Sequence, residues 1–210
     1  MAPIPTSALS PSKNPVLLVH GIGDTHRVFE PMTAYLSDRG WSVHTLDLVP
    51  NRGEVGLDQL ALQVRDYVTA YLAEQPFDLL GFSMGGIVSR YYLQRLGGLQ
   101  PVQRFITLSS PHNGTLTAYA RNRPGVKQMR PGSDLLQDLN RTLTDLEQVQ
   151  FTSLWTPYDL MILPAHSSRL PVGQMGTIPA LAHPLMLRDR RSLEAVATTL
   201  STPLSTKVEA

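Results

Sequence analysis

Gly81-Phe82-Ser83-Met84-Gly85 is the segment of this chain best built to carry out a reaction. A serine spaced G-x-S-x-G fits a tight strand-to-helix turn. The glycines let neighbouring backbone come close, and the serine is held in a strained conformation with its hydroxyl presented outward. The chemistry implied is attack on an acyl carbonyl, with the Met84 backbone N–H aimed at the oxyanion that forms. A second oxyanion donor is expected in V-H-G-I-G (19–23), where Gly21 permits a close approach and the Ile22 N–H sits at a strand end. Neither G-x-x-x-x-G-K-[ST] nor G-x-G-x-x-G occurs, so the turn does not read as a phosphate cradle.

A serine nucleophile needs a base within hydrogen-bond reach, and the base needs a carboxylate to orient it. Where such a turn crowns an α/β sheet, acid and base follow the serine in that order. Three histidines follow Ser83. His183 is assigned as base because it lies between an expected strand at 176–181 and the last helix, on a loop that can reach back over the serine. His112, in S-S-P-H-N-G-T after the strand at 102–108, is placed at the same sheet edge in contact with substrate. His112 and His166 stay open as alternative bases. Asp159, in W-T-P-Y-D one strand before His183, is assigned as acid, with Asp134, Asp138 and Asp145 as rivals in a less regular stretch. His20 and Asp24 precede the serine. His20 is expected to make structural hydrogen bonds and Asp24 to cap the first helix.

The elements that must hold these residues are read from hydrophobic spacing. Continuous apolar runs at 16–20, 41–48, 77–80, 102–108, 149–155 and 176–181 suggest strands. Apolar residues recurring every three or four positions suggest helices at 28–39, 57–72, 84–96, 133–139 and 188–200. Strand and helix alternate across short turns, which gives a doubly wound parallel sheet of about six strands. Pro111 to Pro131 reads as loop. Residues 1–14, with three prolines, read as a flexible arm, 15–201 as one domain and 202–210 as a frayed tail.

Composition narrows the function. The 210 residues carry 18 Lys and Arg against 17 Asp and Glu, a net charge of +1, so no general attraction to nucleic acid is expected. There is no cysteine, hence no disulfide, thiolate metal site or thiol nucleophile. No apolar run is long enough to span a membrane, and the first residues lack the basic start and apolar core of a signal peptide. A cytoplasmic monomer without cofactor or metal is the expectation, although a secreted chain with its signal removed would read the same.

N-P-V-L-L-V-H-G-I-G, G-F-S-M-G-G, S-S-P-H-N-G-T and Y-D-L-M-I-L-P with His183 downstream together resemble the small bacterial class 2 lipases. These are minimal, lidless triacylglycerol lipases of the α/β-hydrolase superfamily, and the likeness runs from about Pro15 to Leu200. The resemblance implies Ser83 as nucleophile, Asp159 as acid, His183 as base and the Ile22 and Met84 amides as oxyanion hole. It also implies lipid esters as substrates, with galactolipid, phospholipid and thioester hydrolysis or acyl transfer as neighbouring activities. The sequence departs from that pattern at Asp24, where glycine is common, and at Ala182 before the histidine. It departs again in the basic stretch 119–132 with Arg121, Arg123, Lys127 and Arg130. Only about forty residues separate the fourth and fifth strands, too few for a cap domain. A shallow acyl channel lined by Ile22, Met84, Ile162 and Leu185 is therefore expected, with 133–139 as the one lid-like element. Contact with a lipid surface would be transient.

Overall fold

Six strands, β1 (Val16–Val19), β2 (Val43–Leu46), β3 (Phe77–Phe82), β4 (Val102–Leu108), β5 (Gln150–Trp155) and β6 (Gln174–Thr177), form one sheet in the computed structural model, which describes residues 13–73 and 75–204. Every neighbouring pair is parallel, in the order β2-β1-β3-β4-β5-β6. β1 and β3 are buried at every residue, because helices cover both faces of the sheet. α2 (Leu57–Tyr71), α3 (Met84–Arg95), α4 (Pro124–Gln128) and α5 (Asp134–Arg141) pack on one face around Leu17, Leu79 and Phe105. α1 (Glu30–Ser37) and α6 (Arg190–Ser201) pack on the other around Leu18, Leu80 and Ile106. This is a minimal α/β-hydrolase fold, with no large cap domain among the described residues.

The chain leaves β1 toward β2 by way of α1 and returns through α2 to β3, on the other side of β1. Val19 pairs with Leu46 in one direction and with Gly81 in the other. The order of the sheet therefore reverses between β1 and β3, and a crevice opens beyond their carboxyl ends, where α/β sheets place their sites. Both the V-H-G-I-G segment and Ser83 leave the sheet at that point.

Several boundaries differ from the reading of hydrophobicity. The last strand ends at Thr177 because Pro179 follows. The apolar Ile178 and Ala180 bury themselves in the loop beyond, with the Ile178 N–H donating to Trp155 O at 2.8 Å. The stretch read as loop from Pro111 to Pro131 contains a 3-10 turn over Leu116–Ala120 and then α4. Lys13 and Asn14, read as part of the arm, are anchored: Lys13 Nζ lies 3.6 Å above the Trp41 ring and Asn14 donates to Asp78 at 3.1 Å. At the other end, Thr202 O accepts from Arg104 at 2.7 Å, so the ordered chain runs past the expected start of the tail. The rest of the arm (1–12) and of the tail (205–210) lies outside the described residues.

Candidate active site

Ser83 is the residue between β3 and α3, with φ 53° and ψ −123°. A non-glycine residue at positive φ costs on the order of 1–3 kcal/mol and persists only where surrounding contacts enforce it. Here the Ser83 N–H donates to Leu108 O at 2.9 Å and Ser83 O accepts from Gly86 N at 3.1 Å, pinning the turn from both sides. Gly85 is required by its neighbours: a Cβ there would run into the carbonyl oxygens of Val19 and His20. The second glycine of the pentapeptide thus lets α3 begin directly against the end of β1. Met84, first residue of α3, keeps an N–H that the helix cannot use, and the Ile22 N–H makes no hydrogen bond among the described residues. Both amides leave the strand ends beside Ser83.

Asp159 and His183 meet on the neighbouring loops. His183 Nδ1 lies 2.7 Å from Asp159 Oδ2, with both side chains buried. Asp159 is fixed in turn through its other oxygen, which accepts from Met161 N at 2.9 Å and Ile162 N at 2.8 Å. Burial pushes the Asp159 carboxyl up, but the hydrogen bond and charge of His183 and the two backbone N–H groups outweigh it. The net effect holds this carboxyl below its ordinary range. The two loops are tied to each other by Thr156, whose hydroxyl donates to Ala180 O at 2.6 Å. The Phe82 ring packs against the imidazole, centroids 4.7 Å apart and planes tilted by 36°. His183 Nε2 is buried without a hydrogen-bond partner among the described residues and shares a cavity of about 230 Å³ with Ser83.

A larger cavity, about 480 Å³, is also lined by Ser83 but not by His183. Ile22, Ala118, Val126, Met129, Met161 and Ile162 supply its apolar walls, and Arg52 and Arg121 lie on its lining. Ile22, Ser83 and Met161 border both cavities. The wall loops are stapled together: Thr115 and Thr117 hydroxyls donate to Met161 O at 3.1 and 2.7 Å, and Leu163 N donates to Thr115 at 2.8 Å. Among the expected site residues, Ser83, Asp159, His183, Ile22 and Ile162 thus come together at one sheet edge.

Others do not. His112 is fully buried beneath the site, with Nε2 3.0 Å from Thr107 Oγ1 and its ring edge-on to Phe151, so it faces no substrate. Burial, reinforced by the nearby Arg90, pushes its pKa well below the histidine range and keeps it neutral. Leu185 packs into the core around Phe82 and Met186 and lines neither cavity. The Met84 side chain is likewise in the core, leaving only its backbone near the site. His166 is exposed in a 3-10 turn away from both cavities. Asp134 and Asp138 are on α5, and Asp145 is in the 3-10 turn after it. Asp24 does not cap the first helical turn, whose N-cap is Thr25 with no side-chain bond; its carboxylate turns to the smaller cavity instead. His20 has the structural role expected, with Nδ1 2.8 Å from Gly21 O and Nε2 accepting from Leu48 N at 2.9 Å. Phe82, Met161, Thr115 and Thr117 went unread in the sequence. Phe82 stands inside the pentapeptide, but nothing in its spacing shows that the ring meets an imidazole a hundred residues away in sequence.

A sequence model of the family described as palmitoyl protein thioesterase matches residues 15–158. The matched stretch contains Ile22, Ser83 and Met84 and stops just short of Asp159. Palmitoyl-protein thioesterase 3 of Dictyostelium discoideum is 23% identical over 128 residues, which cover 58% of this chain and 44% of that protein. The chain therefore spans less than half the length of this curated relative. Among solved structures, a mature lipase of Bacillus licheniformis superposes with a TM-score of 0.76 at 16% identity, covering 95% of this chain and 96% of that one. Aspergillus fumigatus lipase B gives 0.77 at 19% identity, over 92% of this chain and 54% of the other. Phospholipase PlaB from Legionella pneumophila gives 0.72 at 14%, over 90% and 59%. At such identities these structures share the fold.

Proposed function

The chain belongs to the palmitoyl protein thioesterase family, and from that premise we propose that it is a serine hydrolase cleaving fatty-acyl thioesters and related acyl esters. The single observation that carries the reading is the 2.7 Å Asp159–His183 pair, whose unpartnered Nε2 shares a cavity with Ser83 at the head of α3. Ser83 Oγ attacks the acyl carbonyl while His183 Nε2 takes its proton, and Asp159 fixes the ring and stabilises the imidazolium. The Ile22 and Met84 amides hold the oxyanion. Collapse expels the thiol or alcohol, protonated by His183. Water, deprotonated by the same nitrogen, then releases the acid from Ser83.

The direction of proton transfer sets how substrate lies. The leaving atom must receive its proton from Nε2, so the leaving group occupies the smaller cavity that holds His183. The acyl chain takes the larger, more apolar cavity. Family membership favours thioesters, whereas the likeness of several segments to class 2 lipases favours lipid oxygen esters. The same site handles both, because the acyl-enzyme is common to them.

The test is turnover of matched S- and O-octanoyl substrates by the wild type and Ser83→Ala, with circular dichroism on both. Ser83→Ala is expected to fold and to lose at least about a thousandfold in kcat/KM, since the covalent route is removed. A fluorophosphonate should add to the wild type at Ser83 and not to the variant. Near-native turnover in a folded Ser83→Ala would overturn the assignment.

A further inference from the structure

The smaller cavity carries charges that the acyl-transfer steps leave unused. Asp24, half-buried, lines it together with Ser83 and His183. Its Oδ2 lies 3.0 Å from the place a Cβ would occupy on Gly21, and Ser83 Cβ lies 3.1 Å from the same place. Carboxylate and nucleophile therefore flank one glycine. The Asp24 backbone is held: Asn51 donates to Asp24 O, and Gly23 N donates back to Asn51 O at 2.8 Å. Among the described residues Asp24 makes no ion pair. Arg188 lines the cavity too, but it is an exposed side chain, whose charge solvent screens more strongly than that of Asp24. The other walls, including Val28, Phe82 and Leu187, are apolar.

We infer that Asp24 makes this cavity a leaving-group subsite selective for thiols or alcohols that carry a positive charge close to the scissile bond. The inference rests on the reading of Ser83 and His183 as nucleophile and base, which places the leaving atom on this side. A half-buried carboxylate attracts a cation and repels an anion far more than it would in bulk water. Burial raises the Asp24 carboxyl above its ordinary range despite the opposing pull of His20, His183 and a Gly21 backbone hydrogen bond. It is thus a carboxylate short of a counter-ion, which a cationic leaving group provides. A thiol carrying phosphates would set like charges against each other at the same point.

The experiment uses octanoyl thioesters of thiocholine, ethanethiol and 2-mercaptoethanesulfonate, whose leaving groups are permanently cationic, neutral and anionic. Each kcat/KM is divided by the ester's hydroxide-catalysed rate, which removes differences in thiol reactivity. The wild type should rank cation above neutral above anion, and its preference should weaken with added salt. Asp24→Asn should lower the cation-to-anion ratio by about tenfold, and Asp24→Glu should retain most of it. Any influence of Asp24 on His183 is common to the three esters and cancels in the ratio. A ratio unchanged in Asp24→Asn overturns the inference, as does equal flattening by Asn and Glu, which would mean shape and not charge. A wild-type preference insensitive to salt counts against it in the same way. Absence of turnover on all three esters would overturn the hydrolase reading and this inference with it, an outcome distinct from turnover without charge preference.

Discussion

Asp159 uses its two carboxylate oxygens for different ends: Oδ1 gathers the backbone of its own loop and Oδ2 orients His183. Asp159→Asn keeps the shape but offers an amide where an acceptor is needed, so the imidazole loses its tautomer. A fall in kcat of up to about four orders of magnitude is expected, with the fold intact. The same carboxylate contributes to stability. Its folded pKa lies below the unfolded value, so the contribution is present above about pH 4 and is lost as pH falls through the folded value. Urea unfolding at a series of pH values checks this. The stability gap between wild type and Asp159→Asn should be widest near neutrality and should close on acidification.

At the scale of elements, the site stands on a buried polar layer between α3 and the strands beneath it. Arg90 on α3 is fully buried, donating to Gln94 at 3.2 Å and Asn140 at 3.0 Å, and burial, helped by Arg95, lowers its pKa to about 9. His112 lies in the same layer. His112→Ala should therefore cost stability, about 2–4 kcal/mol by chemical denaturation, and leave the preference among acyl chains unchanged. A shift in chain preference at native stability would return His112 to the substrate. At the opposite end of the sheet Asp78 on β3 pairs with Arg104 on β4 at 3.2 Å and binds Asn14, closing the base of the domain. Asp78→Ala leaves a guanidinium there without its partner, and a loss of about 3–5 kcal/mol is expected in the same assay.

For the whole molecule, the question is access. The helix expected from sequence to act as a lid is fixed: Leu136 and Leu139 of α5 are buried, and Asp138 pairs with Arg95 at 2.8 Å. The cleft walls come instead from 115–129 and 161–162, and the same loops expose Leu116, Tyr119, Leu160 and Met161. An open apolar mouth of this kind needs no oil–water interface to uncover Ser83. Rates on soluble esters should rise smoothly through the solubility limit. kcat/KM should grow from acetyl to medium chains, at most by about 0.8 kcal/mol per methylene, and level off once the cavity is filled. A jump confined to droplets would contradict a fixed α5, and a flat chain-length profile would contradict an acyl cavity.

The sequence by itself determined whatever depends on near neighbours along the chain. The glycines around Ser83 mark the strained turn because only they tolerate the close backbone there; apolar periodicity marks α2 because it has one buried face, and continuous apolar runs mark the central strands because helices cover both of theirs. Chain order then favoured Asp159 and His183 over their rivals, since one fold topology leaves few loops able to reach the serine, and the 2.7 Å contact between the two was decided by the packing of their loops. Tertiary structure decided what depends on distant segments. His112 sits at the active edge in sequence order yet turns inward, because Thr107 and Phe151 receive its ring. The lid-like amphipathic pattern of 133–139 is indistinguishable from that of a helix packed on α3, and only the packing of Leu136 and Leu139 tells them apart. Asp24 reads as a cap beside a helix start. The glycine next to Ser83 instead leaves room for its carboxylate in the cavity, a matter of three-dimensional space that no one-dimensional spacing records.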